Sequence, residues 1–354
     1  MEKGFNCPAC TGEHWEHIET FSYSKVDGAR SNSRYLSLRR KLNIFWRILF
    51  LAKPDTQVVK CKSLNAYQKL RRNVLFDVWF DGKKEIVELK SRFCRSCGFV
   101  CYSPRPEDND IANKYAYLER HASQDVHEPE QSAYAAKRDL ERAERIHQQC
   151  VNLITETELD ILDYGGGDGK LLIPFKRDNH NCFVIDYYDS PIDGMTKLGN
   201  DIRDAKVDRK FDVIICSHVL EHVSNISNIL DKLKDYLKED GIFYAEVPQE
   251  VWAGLRIDDD PVTHINFFTK NAFLNLFIAH GFEILESNWT TANFGASALE
   301  VVWITAKVSQ GNKQNLLPID TEEMLHPSRF YSLKRLYRLF IQPKLRKRQS
   351  NSSV

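Results

Sequence analysis

The stretch ILDYGGGDGKLL, from Ile161 to Leu172, decides the fold of this chain. An apolar run ends in a cluster of glycines and opens into helix-forming residues, which is typical of a strand that turns through glycine into a helix. Dinucleotide-binding proteins space their glycines as G-x-G-x-x-G, and the third glycine would then stand where this chain has Lys170. The pattern is instead acidic-x-G-x-G-x-G, led by Asp163. The spacing therefore argues against a dinucleotide as the ligand of this turn.

Strands and helices alternate along the rest of this region. The apolar runs CFVIDYY, FDVIICSH and IFYAEVP predict strands, and NISNILDKLKDYLKEDG predicts an amphipathic helix with Gly241 just past its end. Two late runs, FEILESNW and ALEVVWITAKV, are joined by a short connection and predict an antiparallel pair at the sheet edge. Such alternation predicts an α/β fold, with a parallel sheet and helices on both of its faces.

A carboxylate stands where the second strand of this sheet ends. Ligands of open parallel sheets bind beyond the carboxyl ends of the strands, near the switch in strand order. Asp186 holds that place, and its two oxygens can accept hydrogen bonds from the hydroxyls of a ribose while repelling a 2′-phosphate. The alternative is a glycine turn that holds no ligand. The acid at the next strand end favours a ligand that contains a ribose.

Charge is balanced overall and uneven locally. The 354 residues contain 49 Lys and Arg and 49 Asp and Glu, so net charge favours no class of partner. Basic residues concentrate between Arg30 and Arg72 and again after Arg329. No apolar signal-peptide core follows the initial Met, and the longest apolar run, LNIFWRILFLA, is too short to span a bilayer and contains Arg47. We interpret the chain as cytoplasmic.

Nine cysteines in a reducing compartment are expected to be thiols or metal ligands. Two C-x-x-C pairs could together supply four thiolates to a tetrahedral structural zinc ion, namely Cys7, Cys10, Cys94 and Cys97. The alternatives are thiols without metal, or replacement of one ligand by Cys61, Cys101 or His14.

Four motifs, in order and spacing, resemble the class I S-adenosylmethionine-dependent methyltransferases over roughly residues 159–308. LDYGGGDG resembles the first motif of that family, VIDYYD its second, and FDVIICSHVLEHV its fourth-strand motif. LKEDGIFYAEVPQ resembles its L-K-P-G-G … P element, with Glu239 and Asp240 in place of the usual Pro-Gly. The resemblance implies a Rossmann-like sheet of seven strands and S-adenosylmethionine as cofactor.

The resemblance also implies which residues hold the cofactor. The glycine loop would cradle the methionine part and Asp186 would bind the ribose, while Asp201 would face the adenine amino group with Ile202 against the ring. Ser217 and His218 would end the fourth strand beneath the sulfonium. The expected cofactor-binding residues are Asp163, Tyr164, Gly165, Gly166, Gly167, Asp168, Gly169, Asp186, Tyr187, Asp201, Ile202, Ser217 and His218.

The second cysteine pair carries a further resemblance. CRSCGFVCYSPRP is similar to zinc-knuckle segments of the form C-x-x-C-G-h-h-x-x-x-P-R-P, which precede the methyltransferase domain in a family that includes sugar C-methyltransferases and polysaccharide-locus enzymes. The basic insertion from about Ser22 to Val74 departs from the compact knuckle of that family.

Methyl transfer depends mainly on positioning, and a base is needed only where the acceptor must lose a proton. His218 and His222 are four residues apart. We expect both on a new helix, on the same face as Glu221. His264, in the loop after the fifth strand, is the other candidate for orienting or deprotonating the acceptor. The alternative is structural: Glu221 and His222 cap and pack the helix start, and His264 with Thr269 caps the next helix.

These observations divide the chain into a zinc-knuckle module with its basic insertion (1–105), a helical linker (106–155), a methyltransferase domain (156–310) and a basic tail (311–354). We expect methyl transfer to a small molecule, a nucleotide-linked or lipid-linked sugar. The alternatives are an RNA methyltransferase that grips phosphates through the knuckle and insertion, or a non-catalytic scaffold. The sequence contains no N/D-P-P-Y/F amino-methylation motif, which argues against the RNA alternative.

Two basic segments have apolar faces. Residues 35–53 and the tail could lie on an anionic membrane surface as amphipathic helices. The alternative, which we favour, is that both pack on the core of this protein. Contact with a membrane would suit an enzyme that acts on glycan precursors.

Overall fold

A computed structural model describes the residues 6–25, 57–58, 66–121, 129–249, 261–294, 297–311 and 314–319. Most of the basic insertion, with residues 35–53 and Cys61, and the chain after residue 319 lie outside these ranges, so the expectations for the two amphipathic segments fall on residues that are not described. Within the described ranges, no helix combines the length and the apolar character needed to cross a membrane.

The regular elements are as follows. In chain order, the strands are β1 (Trp15–Ser24), β2 (Gln57–Val58), β3 (Ile86–Cys94), β4 (Val100–Ser103), β5 (Asp160–Tyr164), β6 (Asn181–Ile185), β7 (Thr196–Gly199), β8 (Phe211–Ser217), β9 (Leu237–Pro248), β10 (Asn266–Phe267), β11 (Phe282–Phe294) and β12 (Ser297–Val308). The helices are α1 (Ala66–Asn73), α2 (Asp108–His121), α3 (Pro129–Val151), α4 (Ile173–Arg177), α5 (Ile226–Tyr236) and α6 (Lys270–Ala279).

The larger sheet has seven strands in the order β11-β12-β9-β8-β5-β6-β7. Strands β7, β6, β5, β8 and β9 run parallel, whereas β12 is antiparallel to β9 and to β11. From β5 the chain moves outward through β6 to β7 and then returns to β8 on the other side of β5, so the order switches between β5 and β8. A ligand site is expected beyond the carboxyl ends of these strands. The predicted α/β fold is confirmed, as is the antiparallel pair at the edge.

Both faces of the larger sheet are covered, as the near-continuous burial of its parallel strands requires. Successive side chains of β5 alternate: Leu162 lies in one apolar cluster and Ile161 in another. The first cluster includes the apolar face of α5 and the aromatic residues of α6. The second includes Ala143, Ile146 and Cys150 of α3. Helix α3 is therefore part of the core of the sheet, although it precedes the predicted boundary at residue 156.

The smaller sheet joins the N-terminal region to the larger fold. Its order is β10-β4-β3-β1-β2, so the two-residue strand β10, which comes from the chain after β9, pairs with β4 from the N-terminal region. The apolar cluster around Leu162 also contains the buried Cys7, Cys94 and Phe99. The N-terminal cysteines and the larger sheet thus share one core.

Two local predictions are corrected and one alternative is confirmed. Helix α5 ends at Tyr236, and Gly241 lies four residues inside β9 rather than just past a helix. No helix begins at His218: residues 218–225 form a turn, and α5 starts after Asn225, whose side chain accepts a hydrogen bond from the backbone N–H of Asn228. Thr269 caps α6 by accepting from the N–H of Ala272, as the structural alternative proposed.

Candidate functional site

A cleft of about 900 Å³, its open mouth included, lies at the carboxyl ends of β5, β6 and β8. The size is that of a site for a small molecule. Its walls are formed by the glycine turn after β5, the ends of β6 and β7, and the turn after β8. Helices α2 and α5 complete them. Of the predicted cofactor residues, those that line the cleft are Tyr164, Gly165, Asp186, Tyr187, Asp201, Ile202 and His218.

The glycine turn is shaped by left-handed backbone conformations. Gly165 has φ +74° and its missing Cβ would overlap the side chain of Val219, so any side chain would be strained and crowded there. Gly167 has φ +59°, and a Cβ built on it would meet nothing within 4 Å. The backbone at Gly167 is therefore open to close approach by a ligand. Gly166 packs directly over the carboxylate of Asp163.

Asp186 is held at the cleft by two backbone amides. One carboxylate oxygen accepts from the N–H of Gly167 at 3.0 Å, and the other accepts from the N–H of Tyr188 at 2.8 Å. Each oxygen has a second lone pair, so both can accept a further hydrogen bond. This arrangement fits the predicted contact with a pair of ribose hydroxyls.

Asp201 is already fully engaged. Its oxygens accept from the backbone N–H and the Nε of Arg203, at 3.0 and 2.7 Å, and from the hydroxyl of Tyr187 at 3.3 Å. Arg203 also pairs with Asp108 of α2 at 3.3 Å. An adenine amino group could reach Asp201 only by replacing one of these donors. Ile202, with 2% of its surface exposed, supplies the apolar wall beside it.

Asp163 and Ser217 lie beneath the cleft rather than in its wall. Asp163 is 1% exposed, and neither carboxylate oxygen has a hydrogen-bond partner among the described residues. Burial raises the pKa of Asp163 to about 7, with Arg142 opposing the shift. Ser217 donates to Glu246 at 2.6 Å. Asp168 faces Lys170 at 2.9 Å, and Gly169 packs against Met195. The cleft is therefore not lined by these four residues.

The turn after β8 brings three of the predicted catalytic side chains together without a helix. His218 adopts φ +58° and its Nδ1 lies 3.2 Å from Oε1 of Glu221. The same Oε1 lies 3.9 Å from Nε2 of His222. Both histidines line the cleft, whereas Glu221 is 1% exposed and forms their buried support.

His264 joins this cluster from a separate loop. Its ring is edge-on to that of His222 at a centroid distance of 4.7 Å, and His264 is 7% exposed. The backbone N–H of Ile265 donates to the carbonyl oxygen of Glu221 at 2.9 Å, which ties the two loops together. The structure thus unites all four predicted catalytic residues.

Electrostatics in this cluster favour an ionised Glu221 beside a neutral His222. Burial raises the pKa of Glu221, but the hydrogen bond from His218 and the neighbouring imidazoles outweigh burial and hold the pKa at about 2. Burial lowers the pKa of His222 to about 3, against the opposing effect of Glu221. The Nδ1 of His222 donates to the carbonyl oxygen of Thr263 at 2.5 Å, so its Nε2 carries the lone pair.

Arg105, a residue that the sequence did not single out, fixes the turn after β8. Its guanidinium donates to the carbonyl oxygen of Val223 at 3.0 Å and to that of Ser224 at 3.1 and 2.6 Å. Asn266 of β10 donates to the carbonyl oxygens of Leu220 and Val223 at 2.6 and 2.7 Å. The N-terminal region therefore contributes to positioning the histidine turn.

A second buried ionic group was also missed. Glu246, fully buried on β9, accepts from Ser217, from Nη2 of Arg145 at 2.7 Å and from the hydroxyl of Tyr244 at 2.8 Å. Burial raises its pKa, but the charges of Arg145 and Arg142, the nearby His218 and the hydrogen bond from Ser217 together outweigh burial and lower the pKa to about 2. Arg145 comes from α3, 101 residues earlier in the chain. The sequence signal that could have indicated this group is the acidic residue Glu246 within the otherwise apolar predicted strand IFYAEVP.

The four cysteines of the two C-x-x-C pairs converge at the edge of the shared core. The Sγ atoms of Cys7 and Cys97 are 3.7 Å apart, as are those of Cys10 and Cys94, and all four lie within 4.8 Å of one another. Four sulfurs at about 2.3 Å from a tetrahedral zinc ion would be about 3.8 Å apart, so the donor set fits. Cys101, although buried, is not part of this group.

Comparisons with known proteins agree with this geometry. Residues 130–287 match the family model described as a methyltransferase domain. Ubiquinone biosynthesis O-methyltransferases from Rickettsia canadensis and Rickettsia typhi are each 31% identical over 97 residues, which is 24% of this chain. The chain spans about two fifths of the length of these relatives, 41% and 39%.

Solved structures with a similar arrangement were also found. The 1,6-didemethyltoxoflavin-N1-methyltransferase of Burkholderia thailandensis, with bound S-adenosylhomocysteine, is 16% identical with a TM-score of 0.38, covering 53% of this chain and 93% of that one. The YcgJ protein of Bacillus subtilis is 14% identical with a TM-score of 0.40, covering 48% and 99%. At these scores the likeness adds nothing to the assignment.

The sheet order and the glycine turn with Asp186 are consistent with the methyltransferase-domain model that residues 130–287 match. The matched span begins close to the start of α3.

Proposed function

We propose that the protein transfers the methyl group of S-adenosylmethionine to a polar small-molecule acceptor, a nucleotide-linked or lipid-linked sugar. The observation that carries this proposal is the cleft itself. One end offers Asp186, with the open backbone of Gly167 bonded to it, and the other offers the imidazoles of His218 and His222. A nucleoside-binding end and a proton-handling end within one cleft are what such a transfer requires.

The residues at the nucleoside end would bind and orient the cofactor. Asp186 would accept from the ribose hydroxyls, Ile202 would contact the adenine, and the turn at Gly167 would follow the methionine part. The bound cofactor supplies an electrophilic methyl group on sulfur. Because that carbon is already activated, the protein needs chiefly to align it with the acceptor and to exclude water.

The residues at the other end would orient the acceptor and handle its proton. When an acceptor hydroxyl forms its bond to the methyl carbon, it releases a proton, and a neutral imidazole nearby can receive or relay it. His218, His222 and His264, supported by Glu221, form a polar cluster of this kind. A polar acceptor with hydroxyl groups suits it better than an apolar one.

The sugar acceptor rests on sequence resemblance together with the cysteine site. The knuckle-like segment CRSCGFVCYSPRP is similar to segments that precede sugar methyltransferase domains. The relatives from Rickettsia, by contrast, are named for O-methylation in ubiquinone biosynthesis. A phenolic acceptor is therefore the comparison to include in any assay.

The test has two stages. Calorimetry with S-adenosylhomocysteine should show binding of one molecule per chain. Methyl-labelled S-adenosylmethionine should then transfer label to one member of a panel of nucleotide sugars, and not to phenols or to total RNA. Binding of the cofactor product with label transferred only to RNA would overturn the acceptor proposal, and no binding would overturn the methyltransferase proposal.

A histidine variant connects the activity to the cluster. His264→Ala should lower turnover by roughly a hundredfold while leaving the affinity for S-adenosylhomocysteine nearly unchanged, because His264 does not line the cleft itself and packs against His222, which does. His121→Ala, at the exposed end of α2, is the matched control. Equal turnover in the two variants would remove His264 from the mechanism.

The cysteine site is proposed to hold a structural zinc ion. Its four sulfurs fit tetrahedral coordination, and Ser227 of α5 donates to the carbonyl oxygen of Pro8 at 2.6 Å, so the site is joined to the cleft-lining helix. Metal analysis of freshly purified, reduced protein should find about one zinc ion per chain that Cys94→Ser loses. Zinc-free protein with normal stability would contradict this.

A further inference from the structure

We infer that Glu221, His222 and His264 bind a divalent transition-metal cation at the acceptor end of the cleft, distinct from the cysteine site. Each residue offers one ligand atom, and these atoms all lie within 4.8 Å of one another. One of these separations, between Nε2 of His222 and Oε1 of Glu221, is 3.9 Å. The inference deepens the proposed methyl transfer by assigning a means of holding the acceptor, although the binding of the cation can be tested without it.

The separations are close to those of a coordinated ion. Nitrogen and oxygen ligands at about 2.1 Å from a cation lie roughly 3.0 to 3.4 Å apart in octahedral or tetrahedral geometry. The separations, each at most 4.8 Å, therefore need to shorten by no more than about 1.8 Å. The loops that carry them are already tied by hydrogen bonds from the N–H groups of Ile265 and Asn266 to the carbonyl oxygen of Glu221, at 2.9 and 3.2 Å.

The orientation of His222 is that of a metal ligand. Its Nδ1 donates to the carbonyl oxygen of Thr263 at 2.5 Å, which fixes the ring and leaves the lone pair on Nε2. Ligating histidines commonly donate their second nitrogen to a backbone carbonyl in this way. That Nε2 also faces the carboxylate of Glu221.

Glu221 supplies the second, independent observation. Its side chain is 1% exposed, and Oε2 has no hydrogen-bond partner among the residues that the structure describes, while Oε1 faces His218. A buried carboxylate oxygen without a partner is costly, because it has lost water and gained nothing. A cation bound to this carboxylate would neutralise its charge and offset the cost of its burial.

The position of the cluster indicates what the cation would do. Glu221 and His264 are buried, whereas His222 lines the cleft, so coordination positions opposite the three ligands would face the acceptor. A cation there could hold two neighbouring oxygens of the acceptor and lower the pKa of the hydroxyl that is methylated. The Nε2 of His222 would then serve as a ligand and not as a base.

The donor set restricts the metal. Two imidazole nitrogens and one carboxylate suit Mn²⁺, Fe²⁺, Co²⁺ or Zn²⁺, whereas Mg²⁺ and Ca²⁺ prefer oxygen ligands. The four thiolates of the cysteine site favour zinc strongly over Mn²⁺. Mn²⁺ is therefore a probe that can report the histidine cluster while zinc stays on the cysteines.

In the experiment, the full-length protein is titrated with MnCl₂, and free Mn²⁺ is followed by electron paramagnetic resonance. The zinc content of the protein is measured before and after the titration. One Mn²⁺ per chain should bind. Glu221→Gln, which keeps the shape of the side chain and removes its charge, and His264→Ala should each weaken binding at least about tenfold. His121→Ala should bind like the natural sequence, and thermal melting should confirm that the variants are folded.

The outcomes separate this inference from the methyltransferase proposal. The inference is overturned by absence of Mn²⁺ binding at millimolar concentration, or by equal binding in Glu221→Gln, His264→Ala and His121→Ala. In either case binding of S-adenosylhomocysteine and methyl transfer in the presence of a chelator can persist, and the proposed function would stand. Absence of S-adenosylhomocysteine binding with intact Mn²⁺ binding would overturn the methyltransferase proposal and leave the cation site standing.

Discussion

Asp186 is the single residue on which recognition of the nucleoside should depend most directly. Its two oxygens each accept from one backbone amide, which leaves each a second acceptor position for the ribose hydroxyls proposed to bind there. Asp186→Ala should weaken the binding of S-adenosylhomocysteine by about 1–3 kcal/mol, measured by calorimetry. Asp189→Ala, three residues later and 87% exposed in its side chain, is the control and should leave the affinity unchanged. Equal affinities for both variants would dissociate Asp186 from the cofactor.

Asp163 should make the stability of the protein depend on pH in an unusual direction. Burial raises its pKa in the folded chain from the ordinary 3.8 to about 7. Between about pH 4 and pH 7 the folded state keeps a proton that the unfolded state has released, so this residue contributes less to stability as pH rises through that window. The pattern is opposite to that of an ion-paired aspartate.

Asp163→Asn should remove this dependence. Relative to the natural sequence, its free energy of unfolding in urea should improve between pH 5 and pH 8 by an amount on the order of 1–3 kcal/mol. Asp189→Asn should follow the natural sequence at both pH values. A constant difference between Asp163→Asn and the natural protein across this range would show that Asp163 is not protonated in the fold.

At the scale of elements, the turn after β8 depends on an arginine from another part of the chain. Arg105 satisfies the carbonyl oxygens of Val223 and Ser224. Arg105→Met keeps the apolar stem of the side chain but leaves both carbonyl groups without these donors, so the free energy of unfolding should fall by about 2–5 kcal/mol. Arg95→Met removes an exposed ion pair with Glu16 and should cost no more than about 1 kcal/mol. Comparable losses for the two variants in urea titrations would contradict the role of Arg105.

The sequence predicted those elements whose pattern is local. Strand β5, its glycine turn and helix α6 follow from apolar periodicity, left-handed glycines and a capping threonine, all of which act within a few residues. The turn at residues 218–225 was predicted as a helix because His218, Glu221 and His222 have helical spacing. The structure starts the helix later, since His218 takes a positive φ and Asn225 supplies the cap.

The contacts that the sequence missed are those with long separations. Glu246 and Arg145, or Arg105 and Ser224, are each about a hundred residues or more apart, and nothing in either local stretch specifies its partner. Strand β10, two residues long, is formed by pairing with β4 and has no periodic signal of its own. The sequence therefore predicted the candidate residues of the site, while their supporting shell depends on tertiary structure.

At the scale of the whole molecule, the N-terminal cysteines and the larger sheet share a core. Cys7, Cys94 and Phe99 lie in the same apolar cluster as Leu162 and Ile214, and β10 completes the N-terminal sheet. Regions that share a core and a sheet are expected to unfold together, because neither can bury its apolar surface alone. A metal ion bound by the cysteines, as proposed, would therefore affect the cleft that α5 lines.

Removal of the zinc ion proposed for the cysteine site should accordingly destabilise the whole described fold in a single step. With a chelator present under reducing conditions, or in Cys94→Ser, calorimetric melting should show one transition at a lower temperature than that of the natural protein, since metal-binding free energy contributes directly to folding. The affinity for S-adenosylhomocysteine should fall with it, because Ser227 of α5 bonds to Pro8 beside the cysteines. Cys182→Ser, buried on β6 and outside the cysteine group, is the matched control and should keep its zinc. A separate low-temperature transition, with the main transition and the affinity unchanged, would mean that the cysteine module folds independently of the methyltransferase sheet.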